Sequence, residues 1–298
     1  MSNPSYELRN SEEKCSNEID TYILLPIKKS NTYLKQLPIY PKLKKTIENS
    51  SGGFFLYIKK SSKITIPVEI CFFIENHSQK VVNVIILDEN SKGEINISCL
   101  GKSFGKHKSL NYFLLKSNSS LHIYENHSWS PQNTIISKSY IILKENAHCE
   151  DYYINTKGYG NIVKKSRYLL NDYAKVYSKS ELLIKEGHAK LSSIAYLKGK
   201  NTITDFYSRA ITYNGIIHTN FLISAQGENS RGVAKCDGFI IDKGYITSIP
   251  SISVKNKTAK VMHEASVGSI PEDIINYFRM RGLNGEEAID LFIRGFLK

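Results

Sequence analysis

The sequence predicts a mainly β protein closed by a small helical region, and three features predict it. From Phe54 to about residue 265, short runs of Ile, Val, Tyr and Phe recur, split by Asn, Ser, Gly and Lys, with no long amphipathic helix between them. A turn residue followed by Ala-Lys-apolar recurs at 172–176, 187–191 and 257–261, with a weaker copy at 145–149. Residues 269–298 carry capping signals and helical apolar spacing instead. More than ten short strands without helices between them fit a sandwich, a barrel or a β-solenoid. The echo suits the narrow corner of a solenoid, where a small residue precedes an inward apolar one. Its spacing is uneven, so the pattern alone leaves all three architectures open.

Residues 1–52 are polar and rich in Lys, Asn, Ser and Pro, with an apolar island at Tyr22-Ile23-Leu24-Leu25. Pro38, Pro41 and the run Asn49-Ser50-Ser51-Gly52-Gly53 close this stretch, which reads as an extension lying against the body. The β region, residues 53–268, opens with Phe54-Phe55-Leu56-Tyr57-Ile58. It continues through Val81-Val82-Asn83-Val84-Ile85-Ile86-Leu87 and Ser120-Leu121-His122-Ile123-Tyr124. Alternation is plain at 94–100, where Ile95, Ile97 and Cys99 face one way and Asn96 and Ser98 the other. In residues 269–298, Ser269-Ile270-Pro271-Glu272 reads as a capping box with Pro in the first turn. Ile274, Ile275 and Phe278 follow at helical spacing, and Gly282 after Arg279, Met280 and Arg281 is a C-cap. Asn284-Gly285-Glu286-Glu287 opens a second helix whose apolar stripe is Ala288, Leu291, Phe292 and Phe296. Such a pair hides an edge strand or docks a partner.

The 298 residues suffice for one large domain or two ordinary ones. The net charge of +12 is scattered as single Lys and Lys pairs, which reads as solvated surface and weighs against a nucleic-acid patch. The cysteines, Cys15, Cys71, Cys99, Cys149 and Cys236, are odd in number and form no CxxC. That argues against a disulfide framework and a zinc ribbon. The start of the sequence has no apolar signal core, and no apolar run approaches a membrane span. A cytoplasmic setting without membrane contact is expected.

Several motifs fail on inspection. Gly101-Lys102-Ser103-Phe104-Gly105-Lys106 has three residues, not four, between its first Gly and Gly-Lys, so it is not a phosphate loop. Gly158-Tyr159-Gly160 lacks the third glycine of a dinucleotide loop. His122 and His127 fall on opposite faces of a strand end and share no metal. Two late stretches carry more. Ser230-Arg231-Gly232-Val233-Ala234-Lys235-Cys236-Asp237-Gly238 holds a thiol beside Lys235, whose charge favours the thiolate. A lone Cys in a β protein is more often a small core residue. Val261-Met262-His263-Glu264-Ala265-Ser266-Val267-Gly268 adds an imidazole and a carboxylate that face opposite sides of a regular strand. With solenoid rungs of roughly 20 to 30 residues, Cys236 and the His263-Glu264 pair lie about one rung apart. A thiolate beside imidazole and carboxylate is an iron-competent ligand set.

These residues carry a resemblance. Ser230-Arg231-Gly232, Lys235-Cys236-Asp237, the His263 to Gly268 run, Ile270-Pro271-Glu272-Asp273, Arg281-Gly282-Leu283, Glu286-Glu287-Ala288 and Ile293-Arg294-Gly295-Phe296 follow one another as in the SufB/SufD family. That family comprises scaffolds for iron–sulfur cluster assembly, and the resemblance is dense over residues 218–298. It implies a right-handed parallel β-helix with a small C-terminal helical domain. It implies that the positions of Cys236 and Glu264 hold a nascent iron–sulfur cluster in SufB-like members. The position of His263 carries a His in both branches and, in SufD-like members, belongs to the cluster site at the subunit interface. Keeping all three residues, the chain resembles SufB more than SufD. The resemblance further implies a SufC-type ABC ATPase docked on residues 271–298, with a sulfur donor and apo-Fe–S proteins as further partners. The chain is much shorter than a full SufB and lacks a CxxCxxxC-like motif, so no N-terminal cluster site or sulfur-entry route is carried over. Holding both halves of the interface site, it suggests a homodimer in place of a SufB–SufD pair. The expected function is a non-enzymatic scaffold that builds a cluster at a dimer interface and transfers it, ATP hydrolysis belonging to the partner. Two alternatives stay open: a non-catalytic SufD-like structural subunit, and an unrelated β-solenoid enzyme acting on polysaccharide. The latter would need paired carboxylates in a groove.

Overall fold

The structure, a computed structural model, describes residues 5–15, 20–35, 37 and 40–297. Met1 to Pro4 and Pro38 of the expected extension, and Lys298 of the C-terminal region, lie outside the described residues. The N-terminal part supplies β1 (Ser5–Arg9), β2 (Glu12–Cys15), β3 (Tyr22–Pro26), α1 (Asn31–Leu34), α2 (Tyr40–Glu48) and β4 (Phe54–Ile58). Two long strands follow, β5 (Val68–Leu87) and β6 (Lys92–Leu115). After them come β7 (Ser120–Ser128), β8 (Asn133–Leu143), β9 (His148–Gly158), β10 (Asn161–Leu170), β11 (Lys175–Ile184) and β12 (His188–Leu197). The last strands are β13 (Ile203–Thr212), β14 (Ile216–Ala225), β15 (Arg231–Ile240), β16 (Tyr245–Val254) and β17 (Lys260–Ser269), before α3 (Glu272–Met280) and α4 (Gly285–Phe296).

From β7 onward each strand pairs in parallel with the next but one in sequence. Thus β11 pairs with β9 and β13, β13 with β15, and β15 with β17, while β10 pairs with β8 and β12. The chain is a parallel β-solenoid of about 8 turns. One rung is two strands and two corners, and a site recurs about every 28 residues, as where Thr202 bonds Ser230. Of the three architectures the pattern left open, the solenoid is the one formed.

The corners explain the period. One of them turns on a left-handed residue, φ 54° to 60°, at Asn90, Asn118, Asn146, Tyr173, Asn201 and Asn229. Asn tolerates this region better than most residues. Its N–H donates to the corresponding corner one rung on, Asn118 N to Glu145 O at 3.0 Å and Asn201 N to Glu228 O at 2.7 Å. The next residue is small and buried: Ser91, Ser119, Ala147, Ala174, Thr202 or Ser230. Where it is Ser, its hydroxyl donates to a carbonyl three residues back, as Ser230 Oγ to Gly227 O at 2.8 Å. The copy at 172–176 and the weaker one at 145–149 are this corner, and the copy at 257–261 stacks on it one rung on without a left-handed residue. The copy at 187–191 is the other corner, and Thr202 and Ser230 replace Ala in the rungs between, which is why the spacing reads as uneven. The second corner turns on glycine, Gly160 at φ 111° and Gly187 at φ 104°. A Cβ on Gly187 would lie 2.6 Å from the Gly160 carbonyl oxygen.

The two ends differ. At the N-terminal end β1 pairs with β5 and β2, and Tyr6 and Leu8 are fully buried over the first rung. Helices α1 and α2 lay Leu34, Leu43 and Ile47 against the outward Val82, Val84 and Ile86. The sequence reading missed α2, whose one signal is Leu43 and Ile47 at i, i+4 around a basic surface. At the other end, α3 begins at Glu272 with Pro271 as N-cap and no side-chain cap bond. The capping box expected at Ser269 does not form, because Ser269 is still in β17, aligned with Ile240 of β15. The Asn284–Glu287 box of α4 does form, with bonds of 3.0 and 2.8 Å, and Gly282 ends α3 at φ 93°. Helix α4 buries Ala288, Ile293 and Leu297, the last two packed with Leu183 and Ile211, and leaves Leu291 exposed.

Urea unfolding of Gly187→Ala should show a loss of about 1–3 kcal/mol. Gly268→Ala, whose Cβ meets nothing within 4 Å, should unfold as the parent does. Equal midpoints for both would remove the corner argument.

Candidate functional site

Strands β15 and β17 stack in register, with Cys236 beside Ala265, His263 beside Ala234 and Glu264 beside Lys235. One rung separates the thiol from the other two, as the spacing predicts. Alternation decides where each points. Ala234 and Cys236 are buried and face the interior, so His263 has inward parity and Glu264 outward parity. Glu264 Oε2 lies 3.2 Å from Lys235 Nζ, which also sits 3.9 Å from Asp237 Oδ2. The Glu264 and Asp237 carboxylates raise the lysine's proton affinity. His263 Nδ1 lies 3.1 Å from the Pro250 carbonyl oxygen. Within one chain, thiol and imidazole have inward parity and the carboxylate stands outside.

The expected thiolate at Cys236 is not what the geometry gives. Lys235 and Cys236 are adjacent on one strand, so they emerge on opposite sides of the sheet. The neighbours of Sγ come from the facing sheet instead. The Thr219 hydroxyl donates to Sγ at 3.9 Å and lies 2.8 Å from Ser248 Oγ. Burial pushes the thiol up to about 11, against the hydrogen bonds from Thr219 and Ser248. Cys236 is therefore a protonated, enclosed thiol in the isolated chain.

These residues sit at an open end. Strand β16 pairs with β14 and β17 with β15, and among the described residues no further rung is stacked on either. Tyr245, Ile249, Met262 and Val267 are exposed there. In the helices beyond, Tyr277, Met280 and Leu291 are exposed too. Among the described residues no group of three or more His, Cys, Asp or Glu side chains is placed to hold a metal ion. The single chain thus offers donors without convergence.

A second polar cluster lies deep in the solenoid, and the sequence reading missed it. Lys164 Nζ is 2.7 Å from Glu125 Oε2, and His127 Nε2 is 3.5 Å from the same oxygen. Lys164 also lies over the Tyr153 ring at 4.5 Å, and the Tyr168 hydroxyl donates to Asp151 Oδ2 at 2.6 Å. Burial pushes the Glu125 carboxyl up, yet Lys164 and His127 outweigh it and hold Glu125 low. Burial leaves Asp151 raised despite Lys164, and it lowers His127. Burial opposes the Lys164 ammonium, and the two carboxylates more than restore it. One cation thus serves two buried acids, the arrangement a low-dielectric interior requires. Parity was the signal, since Glu125 and His127 share the inward positions of Leu121 and Ile123 on β7. His122 faces outward, so the two histidines do lie on opposite sides as expected.

Comparison with known proteins adds a relation. The SUF system FeS cluster assembly, SufBD core domain, matches residues 72–296. An iron–sulfur cluster assembly SufBD family protein of Archaeoglobus fulgidus is 27% identical over 256 residues, covering 83% of this chain and 68% of that protein. A SufBD family protein of Methanothermobacter thermautotrophicus is 27% identical over 259 residues, covering 84% of this chain and 63% of its own length. A SufBD family protein of Porphyra purpurea is 40% identical over 108 residues, or 34% of this chain and 21% of that protein. The chain spans about two thirds of the archaeal relatives, 68% and 63%.

The thiol geometry fixes a pH dependence. At pH 8, iodoacetamide should label Cys236 on the order of 100-fold more slowly than an unperturbed thiol. The rate should still be climbing at pH 10, because the thiol titrates near 11. A plateau below pH 9 would contradict the enclosed site.

Proposed function

The chain belongs to the SufBD family of iron–sulfur cluster assembly proteins, and from that premise we propose that it is a scaffold on which a nascent iron–sulfur cluster is built by Cys236, His263 and Glu264. One observation carries the reading: all three residues lie on the last rungs of a solenoid on whose end, among the described residues, no further rung is stacked. The cluster is cargo, so its ligands need not converge until iron and sulfide arrive. A second copy seated on β16 and β17 would cover Met262 and Val267 and bring a second His263 and Glu264 to the seam. Ligands from two chains would then complete a set that one chain leaves divided by its own sheet.

Delivery needs movement, because Cys236 is enclosed. Helices α3 and α4 are the handle on this reading, with Tyr277, Met280 and Leu291 as the surface that docks a SufC-type ABC ATPase. The sequence has no phosphate loop of its own, so ATP hydrolysis falls to that partner and the chain acts as a non-enzymatic scaffold. A sulfur donor supplies the site, and apo-Fe–S proteins receive the product. Residues 53–268 are then the scaffold core, 269–298 the docking unit and 1–52 the cover of the first rung. The lack of a disulfide and of a helix long and apolar enough to cross a membrane, both among the described residues, suits a cytoplasmic setting.

A second reading has its own support. Cys236 is protonated and Glu264 is held by Lys235, which also suits a SufD-like structural subunit that borrows ligands from a longer paralogue. Anaerobic reconstitution with ferrous iron and sulfide separates the two. The scaffold reading expects the chain alone to gain visible cluster absorbance, and Cys236→Ala and Glu264→Ala each to lose most of it. Parent-like yields from both variants would refute the site, and a cluster formed only with a co-purified paralogue would favour the structural subunit.

A further inference from the structure

The solenoid sorts its acids by face, and this points to a second surface separate from the proposed cluster site. Strands β8, β10, β12, β14 and β16 contain no Asp or Glu. Every carboxylate of β7 to β17 sits on the odd-numbered strands, at Glu125, Glu150, Asp151, Glu181, Asp205, Asp237 and Glu264. The acid-free face instead presents Lys138, Lys165, Arg167 and Lys190, all exposed. Lys138 and Lys165 are adjacent in register.

These cations lie on three neighbouring columns, and beside the column of Tyr140 and Arg167 runs an apolar one. Leu114, Ile142, Leu169 and Tyr196 align across four successive rungs. A groove of about 390 Å³ opens between the two, lined by Tyr112, Tyr140, Arg167, Leu169, Tyr196 and Lys198. Tyr112 stacks on Tyr140 at 5.2 Å, and the Arg167 guanidinium lies 5.9 Å from the Tyr140 ring, so the floor is held open as a flat aromatic surface. Lys198 stands on the far rim.

We propose that this face docks an acidic amphipathic helix of a partner protein. An apolar column flanked by cations is the complement of an apolar helical stripe flanked by carboxylates. The periods agree as well, since a helix advances ~5.4 Å per turn and rungs stack ~4.8 Å apart, so each turn meets one rung. The chain itself shows that a helix fits here. Helix α2 lies on the same face, with Leu43 and Ile47 against Val82 and Val84, and Val84 is in the column of Tyr112 and Tyr140. The helical cover stops there, and among the described residues no helix lies on the following rungs of this face. Nucleic acid would match the cations but leave the apolar column without a partner.

Fluorescence anisotropy with a labelled synthetic peptide, a Leu stripe flanked by Glu on both sides, tests the surface on the full chain. The peptide should bind, and a scrambled peptide of the same composition should bind at least about tenfold more weakly. Lys138→Glu with Arg167→Glu, and separately Leu169→Asp, should each weaken binding by a similar factor with an unchanged circular dichroism spectrum. Lys175→Glu, on the other face, should leave it intact. Failure of the peptide to bind, equal binding of the scrambled peptide, or indifference to both face variants overturns the proposal. Binding only to a single-stranded oligonucleotide, or only to phosphatidylserine vesicles, does so as well. A failed cluster reconstitution would leave this proposal standing, because no residue of the proposed cluster site lines the groove.

Discussion

In-register parallel stacking governs this molecule. Each residue sits above the one about 28 positions earlier and keeps its parity, so two coordinates, rung and side of the sheet, fix nearly every environment. The corners enforce both. The left-handed residue at φ 54° to 60° and the small residue after it bond to the rungs on either side, and the glycine corner leaves no room for a Cβ at Gly187. A slip of one residue would send every inward side chain outward, and these corners resist it. The same rule makes the end of the stack chemically different from its middle. The first rung is roofed by β1, β2, Tyr6 and Leu8, and the last is not roofed by anything described. An unroofed parallel rung presents unpaired backbone groups and apolar side chains, which favours a partner.

Parity also shapes the chemistry. It encloses Cys236 among Thr219 and Ser248, sends Lys235 and Glu264 outside as a pair, and leaves His263 at the rim. Donors divided in this way do not converge within one chain, which suits the proposed scaffold, whose ligand set is completed by a second copy. The interior cluster of Glu125, His127, Asp151 and Lys164 follows the same parity, with Lys164 paired to Glu125 and Asp151 accepting from the Tyr168 hydroxyl.

What was legible in the sequence was local or densely spaced. The strands, the Asn284 cap, the glycine end of α3 and the one-rung interval between Cys236 and His263 could all be read because each depends on a few neighbours. The period could not, because the corner accepts Ala147, Ala174, Thr202 or Ser230 after a residue that is Asn in most rungs but Tyr at position 173. Lys235 looked like an activator of Cys236 because adjacency in sequence was taken for adjacency in space, and alternation denies it. The basic face was hidden for a related reason. The chain visits the two faces in turn, so the acids that gather on one sheet appear interleaved with lysines that lie on both. Helix α2 was lost to its short length and its lysines.

The central claim is that the unroofed last rung is the working surface, where two copies meet to complete one site. Sedimentation equilibrium of the chain under anaerobic conditions with ferrous iron and sulfide addresses it directly, comparing the parent with a Met262→Glu, Val267→Glu variant. The account predicts twice the chain's 33.8 kDa for the parent and a single-chain mass, without cluster absorbance, for the variant. A single-chain parent that holds a full cluster, or a variant that pairs and loads as the parent does, would contradict it.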